Sequence, residues 1–329
     1  NVYPMKLRVL AILGGILLAG TLSAQTLTDV INEFNTGVEK LNNQEYLVSI
    51  DHFNQVLSMA ETVGAEADEM KGNAQMQIPA AYYRQATIFM KRKQYDNAIP
   101  YLEQTVEFAT LYNNNEEIKA KASGYLPQLY VREGNVSWKN KDFDQALAYF
   151  DKALGMNPNL YQAHQGKGMV YLDQDKTSDM LEEFTLAKAG AEAKGDAKTI
   201  TKVNGVIDSY YNKIIKEEFD MVDPEDNDYS YVVEACENAL AANPENPRAY
   251  YFLATVNNKS NEHASAIENA IKGLEYETEP VYVSGLNFEL GTAYDKTDEY
   301  DKACEVLKKV VEEPFLTRAE KKIANIGCG

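Results

Sequence analysis

Chemistry in a polypeptide starts at histidine, cysteine, a glycine-framed lysine or clustered carboxylates, and this sequence offers each sparingly. The histidines are His52, His164 and His263. They fall in three different stretches at positions that do not correspond, with no HExxH motif or His/Asp cluster around them, so none is expected to bind a metal. Cys236, Cys304 and Cys328 form no CxxC pair. Two small core residues and one tail thiol are expected, with a Cys236–Cys304 disulfide as the alternative in an oxidising compartment. Lys167 stands between Gly166 and Gly168, but the GxxxxGK[ST] spacing of a phosphate loop is missing. "DPEDNDYSYVVE" sets Asp226, Asp228, Ser230 and, just beyond it, Glu237 at offsets faintly like those of a calcium loop. Tyr231 fills the place where such a loop needs glycine to turn, so a solvated acidic loop that caps a helix is expected instead.

No GxSxG, nucleophile–base pair or carboxylate pair stands out among the 50 acidic residues. The chain is therefore expected to be no enzyme and to carry no cofactor. With 329 residues, 45% hydrophobic and 25% charged, it can bury a sizeable core. A formal net charge of -18 without a basic cluster repels nucleic acid phosphates and anionic membrane surfaces, which leaves a protein or peptide as the expected partner. Tyrosine occurs 22 times against one tryptophan, Trp138, and suits half-buried positions because its ring packs while its hydroxyl stays wet.

Residues 1–24 read as a signal peptide. Lys6 and Arg8 are its positive start, Val9 to Gly20 an apolar run of 12 residues, and Leu22-Ser23-Ala24 a small-residue end before Gln25. The run is too short for a spanning helix, which needs about 20 residues. The ending "SAQ" resembles signal peptides of the Bacteroidetes group. Residues 25–329 are accordingly expected to be exported, periplasmic or attached to the cell envelope, with no membrane insertion.

The elements come from a recurrence. Around Ala146, Gly134 lies 12 residues before, Phe143 lies 3 before, and Phe150, Ala153 and Pro158 lie 4, 7 and 12 after. The same ruler set on Ser49 finds Gly37, Tyr46, Phe53 and Val56; on Ala98 it finds Ala86, Tyr95 and Leu102, with Val106 one place late. On Met180 it finds Gly168, Phe184 and Ala187; on Ala266, Ala254 and Ala270; on Ala303, Gly291, Tyr300, Leu307 and Val310. Val232 fits downstream only, through Cys236, Ala239 and Pro244. Each unit holds two apolar stripes at helical period separated by a polar break, which predicts a pair of helices packed closely at the small residues. This pattern resembles the tetratricopeptide repeat (TPR), best in 127–160 and 284–317. The resemblance implies an all-α, right-handed α-solenoid of about seven helix pairs, with repeats at roughly 30–63, 79–112, 127–160, 161–195, 198–246, 247–283 and 284–317. An amphipathic helix over 316–326 is expected to cap the last unit. The intervals between reference residues are 49, 48, 34, 52, 34 and 37 residues. The long ones predict helices extended through 57–77 and 108–124 and a loop over 217–230.

In the TPR family the fifth, ninth and twelfth places of each first helix line the concave surface. The resemblance thereby assigns the fifth place to Phe34, Tyr83, Val131, Gln165, Tyr251 and Phe288. It assigns the ninth to Val38, Thr87, Asn135, Met169, Thr255 and Thr292, and the twelfth to Leu41, Met90, Trp138, Leu172, Asn258 and Asp295. Of these, Phe34, Leu41, Tyr83, Thr87, Met90, Asn135, Trp138, Gln165, Met169, Tyr251 and Phe288 are expected to touch a partner. No unit pairs a fifth-place Lys with a ninth-place Asn, the carboxylate clamp of chaperone-binding members. A scaffold that grips a partner polypeptide through aromatic and apolar contacts is therefore expected. A nutrient- or glycan-binding envelope protein is the alternative.

Overall fold

The structure, a computed structural model, describes residues 25–223 and 226–328; the expected signal peptide lies outside them. Every regular element among the described residues is helical. Helices α1 (Leu27–Asn42) and α2 (Tyr46–Val63), α3 (Asp68–Lys91) and α4 (Tyr95–Leu111), and α5 (Glu116–Lys139) and α6 (Phe143–Met156) form the first three hairpins. Four more follow: α7 (Tyr161–Asp173) with α8 (Thr177–Lys194), α9 (Ala197–Met221) with α10 (Ser230–Ala242), α11 (Pro247–Lys259) with α12 (His263–Tyr276), and α13 (Pro280–Lys296) with α14 (Tyr300–Leu307). A last helix, α15 (Phe315–Ile326), sits within one residue of the predicted cap. The chain divides into two compact units, the first ending at Tyr130 and the second beginning at Val131, inside α5.

Within each unit consecutive helices pack in solenoid order. In the first, α1 lies on α2, α2 on α3 and α3 on α4. In the second the same succession runs from α6 to α14, and α13 also packs on α11 and on α15. The reason is visible at the ruler positions. All seven reference residues, Ser49, Ala98, Ala146, Met180, Val232, Ala266 and Ala303, are fully buried. A Cβ built on Gly37, Gly134 or Gly168 would stand 2.7, 2.6 or 2.5 Å from the ring of Phe53, Phe150 or Phe184. The missing side chain of the first helix is thus the space that the ring of the second fills. Leu307 takes the place of the ring against Gly291.

The turns repeat as closely as the cores. Five residues before each reference position stands a residue with left-handed backbone: Gln44, Lys93, Lys141, Asp175, Asn227, Asn261 and Asp298, with φ from 49 to 63°. In six hairpins the next residue donates its N–H back five places, as from Asp142 to Ser137 O at 2.9 Å and from Glu299 to Tyr294 O at 2.8 Å. This is a Schellman turn built without glycine. It lets the second helix start four residues after the first ends.

Three expectations change. The register does not slip in α4: Thr105, not Val106, occupies the buried place seven residues past Ala98, and its hydroxyl is satisfied by Tyr101 O at 2.7 Å. The long intervals mostly lengthen first helices. α3 and α5 begin at Asp68 and Glu116, well upstream of Pro79 and Pro127, where units were expected to start. The loop before α10 is shorter than predicted, because α9 continues to Met221. The cysteines also differ from expectation. Cys304 pairs with Cys328, Cα atoms 5.6 Å apart, while Cys236 is free and buried, and burial pushes its thiol up to about 12.

Candidate functional site

Four helices of the second unit line a cleft of about 430 Å³. α9 contributes Phe219, α11 Tyr251, Thr255, Asn258 and Lys259, α13 Phe288, Glu289 and Thr292, and α15 Arg318 and Lys322. The apolar floor is an aromatic cluster. The Tyr251 ring lies 5.1 Å from Phe252, 5.5 Å from Tyr282 and 6.2 Å from Phe315, and Phe288 lies 6.1 Å from Phe315. Burial, with help from the Glu289 charge, pushes the Tyr251 hydroxyl up to about 12, so this phenol stays neutral.

The polar groups of the cleft are unevenly spent. Asn258 donates to Glu289 twice, to Oε2 at 2.8 Å and to the backbone oxygen at 2.9 Å. Glu289 is only 6% exposed. Burial pushes its carboxyl above the ordinary carboxylate range, outweighing Asn258 and the nearby Arg318, Lys259 and Lys322 charges. Lys322 pairs with Asp295 at 2.9 Å, and the Arg318 guanidinium stacks 4.2 Å from the Phe288 ring. Three other ninth-place residues bond to their own helix: Thr87 to Tyr83 O, Asn135 to Val131 O and, in the cleft, Thr255 to Tyr251 O, at 2.8, 2.9 and 3.0 Å. The Thr292 hydroxyl oxygen has no such partner among the described residues.

Of the residues expected to touch a partner, the cleft brings together Tyr251 and Phe288. Phe288 is 4% exposed, so it forms the floor rather than an anchor. Leu41, 5% exposed, belongs to the core of the first unit, where Phe34 lies 5.6 Å from Phe53. On α3, Tyr83, Thr87 and Met90 are half-buried. Burial and a hydrogen bond with Tyr125 push the Tyr83 hydroxyl up. Asn135, Gln165 and Met169 are half-buried in the second unit, and Met169 packs on its core. Trp138 does not line the cleft; its indole N–H donates to Asp173 at 2.7 Å, tying α5 to the end of α7. The ruler missed Phe219 because a loop was expected over 217–230, whereas α9 continues to Met221 and carries that residue into the cleft. It missed Arg318 and Lys322 because α15 carries no ruler marks.

The histidines serve the helix packing. His164 Nδ1 lies 2.6 Å from Glu183 and Nε2 3.1 Å from Pro158 O, so the doubly protonated ring satisfies both. The Glu183 hydrogen bond raises the His164 pKa against the opposing effect of burial. Lys167 reaches Glu183 at 2.8 Å and Asp151 at 3.0 Å, so the glycine-framed lysine is a link between α6, α7 and α8. Burial pushes Glu183 up, but the bonds from His164 and Lys167 prevail and hold it low. In the first unit His52 lies 2.6 Å from Glu33. His52 and His164 do not correspond in position, but the contacts they make do. Glu33 and His164 stand 16 residues before their reference residues, and His52 and Glu183 stand 3 after. The two hydrogen-bonded pairs are one contact with its ends exchanged. No group of three or more His, Cys, Asp or Glu side chains is placed to hold a metal among the described residues.

Tetratricopeptide-repeat family models match residues 127–160 and 284–313, 233–275, and 80–107. These segments are tetratricopeptide repeats. The repeat at 127–160 is the hairpin whose spacing supplied the ruler, and the one at 284–313 contributes Phe288 to the floor of the cleft. No curated protein sequence matches the chain. Among solved structures, the MamA protein is 23% identical over 61% of this chain and 96% of its own, with a TM-score of 0.32. YrrB, described as a TPR protein with an unusual peptide-binding site, is 16% identical over 59% and 91%, with a TM-score of 0.29. The TPR2AB domain of yeast Sti1 in complex with pHSP90 is 17% identical over 91% and 94%, with a TM-score of 0.35.

Proposed function

We propose that the chain is a non-catalytic interaction scaffold that binds a partner polypeptide along the first helices of its TPR hairpins, with the cleft over α11 and α13 as the principal contact. The observation that carries the reading is the composition of this cleft. Aromatic rings form its floor, the buried Thr292 hydroxyl oxygen in its wall has no partner among the described residues, and the rings cannot turn away because they pack on one another. An extended or helical segment offers such a surface both side chains to pack and backbone groups to pair. The scaffold works, on this reading, after export to the cell envelope. The apolar run in residues 1–24 and the Cys304–Cys328 disulfide, a bond favoured in oxidising compartments, both support that placement.

Selection of a random dodecapeptide phage library on the full chain tests the binding. A converging peptide family that loses at least tenfold in affinity when Thr292→Ala is combined with Asn258→Ala is expected. Convergence on peptides indifferent to those changes would move the site elsewhere, and failure to converge would overturn the reading. Location is tested separately, by fractionating cells that express the full-length chain. Recovery in the cytoplasm with residues 1–24 attached would sink export.

A further inference from the structure

The cap helix does more than close the last repeat. Phe315 packs on Tyr251 and Phe288, the fifth places of α11 and α13. Arg318 stacks on Phe288, and Lys322 pairs with Asp295, the twelfth place of α13. The charges of Arg318 and Lys322 also act on the buried carboxyl of Glu289. One stripe of α15, Phe315, Ala319, Ile323 and Ile326, meets the apolar cluster of Phe288, Leu307 and Val310, and its two cations meet the acids of α13. α15 therefore lies on the face where the repeats would receive a partner. It is tethered there covalently, since Cys328, just past its end, is bonded to Cys304 of α14.

We propose that α15 is the chain's own occupant of a docking surface on α11 and α13, whose partner in trans is a basic amphipathic helix with an aromatic leading residue. The occupant already seated on this face defines that chemistry: an apolar stripe at three- and four-residue spacing, flanked by cations that answer Asp295 and Glu289. A partner helix with these features gains the same contacts on a chain whose net charge of -18 attracts it from a distance. The disulfide decides the competition. The main chain already joins α15 to α14 through residues 308–314, and the closed disulfide holds its far end as well, which raises its local concentration further. A dithiol reductant that attacks one sulfur leaves Cys304 and Cys328 as thiols, is itself oxidised to a disulfide, and frees α15 to exchange with the partner.

This inference deepens the proposed function and fails separately from it. The probe is a fluorescein-labelled peptide of residues 315–326, added to the full chain. Anisotropy is expected to show binding to a Cys328→Ser, Phe315→Ala chain at least tenfold tighter than to the oxidised wild type. A labelled peptide with Phe315→Ala and Lys322→Glu is expected to lose that binding. Equal affinity for both chains, or no binding to the variant while its circular dichroism remains that of the wild type, would overturn the proposal. Either result would leave the dodecapeptide selection standing on its own outcome. If the variant does not fold, Cys328→Ser with Lys322→Glu takes its place; it changes side chains outside the core and sets a like charge against Asp295.

Discussion

At the scale of single residues, the same substitution changes sign with its surroundings. A Cβ at Gly134 would stand 2.6 Å from Phe150, a ring that is fully buried and also pressed by Gly166 from α7. Gly134→Ala gains about 0.5–1 kcal/mol of helix propensity but overpacks the hairpin at about 1–3 kcal/mol, so a net loss is expected. Gly205, inside α9, faces open space, and Gly205→Ala should stabilise by about 0.5–1 kcal/mol. Urea midpoints of the two variants should move in opposite directions; a shift of both the same way would refute the packing argument. His164 makes a second test. Its folded pKa is raised by Glu183, so its contribution is full below the ordinary histidine value of 6.5 and is lost as pH rises through the raised value. The melting temperature of wild type should fall more between pH 6 and pH 8.5 than that of His164→Gln. Parallel pH profiles would remove His164 from the account.

At the scale of the helix and its turn, every hairpin tolerates a strained residue. A side chain in left-handed backbone costs about 1–2 kcal/mol. Lys141, at φ 61°, is one of seven such residues, and none of the seven is a glycine. Lys141→Gly relieves the strain and adds about 0.5–1 kcal/mol of unfolded-state entropy, for an expected gain of about 0.5–1 kcal/mol. Chemical denaturation would show the gain as a higher midpoint at unchanged slope, and a lower midpoint would mean that the lysine makes a contact worth more than the strain. The hairpins themselves were legible in the sequence because each ruler mark is one contact: Gly134 with Phe150, Gly37 with Phe53, Gly168 with Phe184. The upstream extensions of α3 and α5 were not. Pro79 and Pro127 stand where proline usually opens a helix, as Pro247 does in α11, and nothing local marks them as interior.

At the scale of the whole molecule, each hairpin within a unit rests on its neighbours in sequence, so damage at the end of a unit stays local. Closing a loop with a sequence separation of 24 contributes about 3 kcal/mol in the chain-entropy picture. Under reducing conditions, hydrogen exchange of α15 amides should accelerate, while those of α1 to α4 keep their wild-type protection. Acceleration throughout the chain would mean that the repeats unfold as one body. Why the sequence disclosed the repeats but only part of the cleft follows from the same locality. Phe219 and Arg318 reach the cleft through packing between elements, and such contacts leave no fixed interval in the chain. The facing positions of the hairpins carry one more consequence. The contact is Glu33 with His52 in one hairpin and His164 with Glu183 in another, so the backbone there holds an imidazole–carboxylate couple without fixing which helix of the hairpin supplies the imidazole. A transposed chain, Glu33→His with His52→Glu, should melt with the wild type although either change alone lowers the melting temperature. The crossing would then behave as a reversible coupling between interchangeable parts.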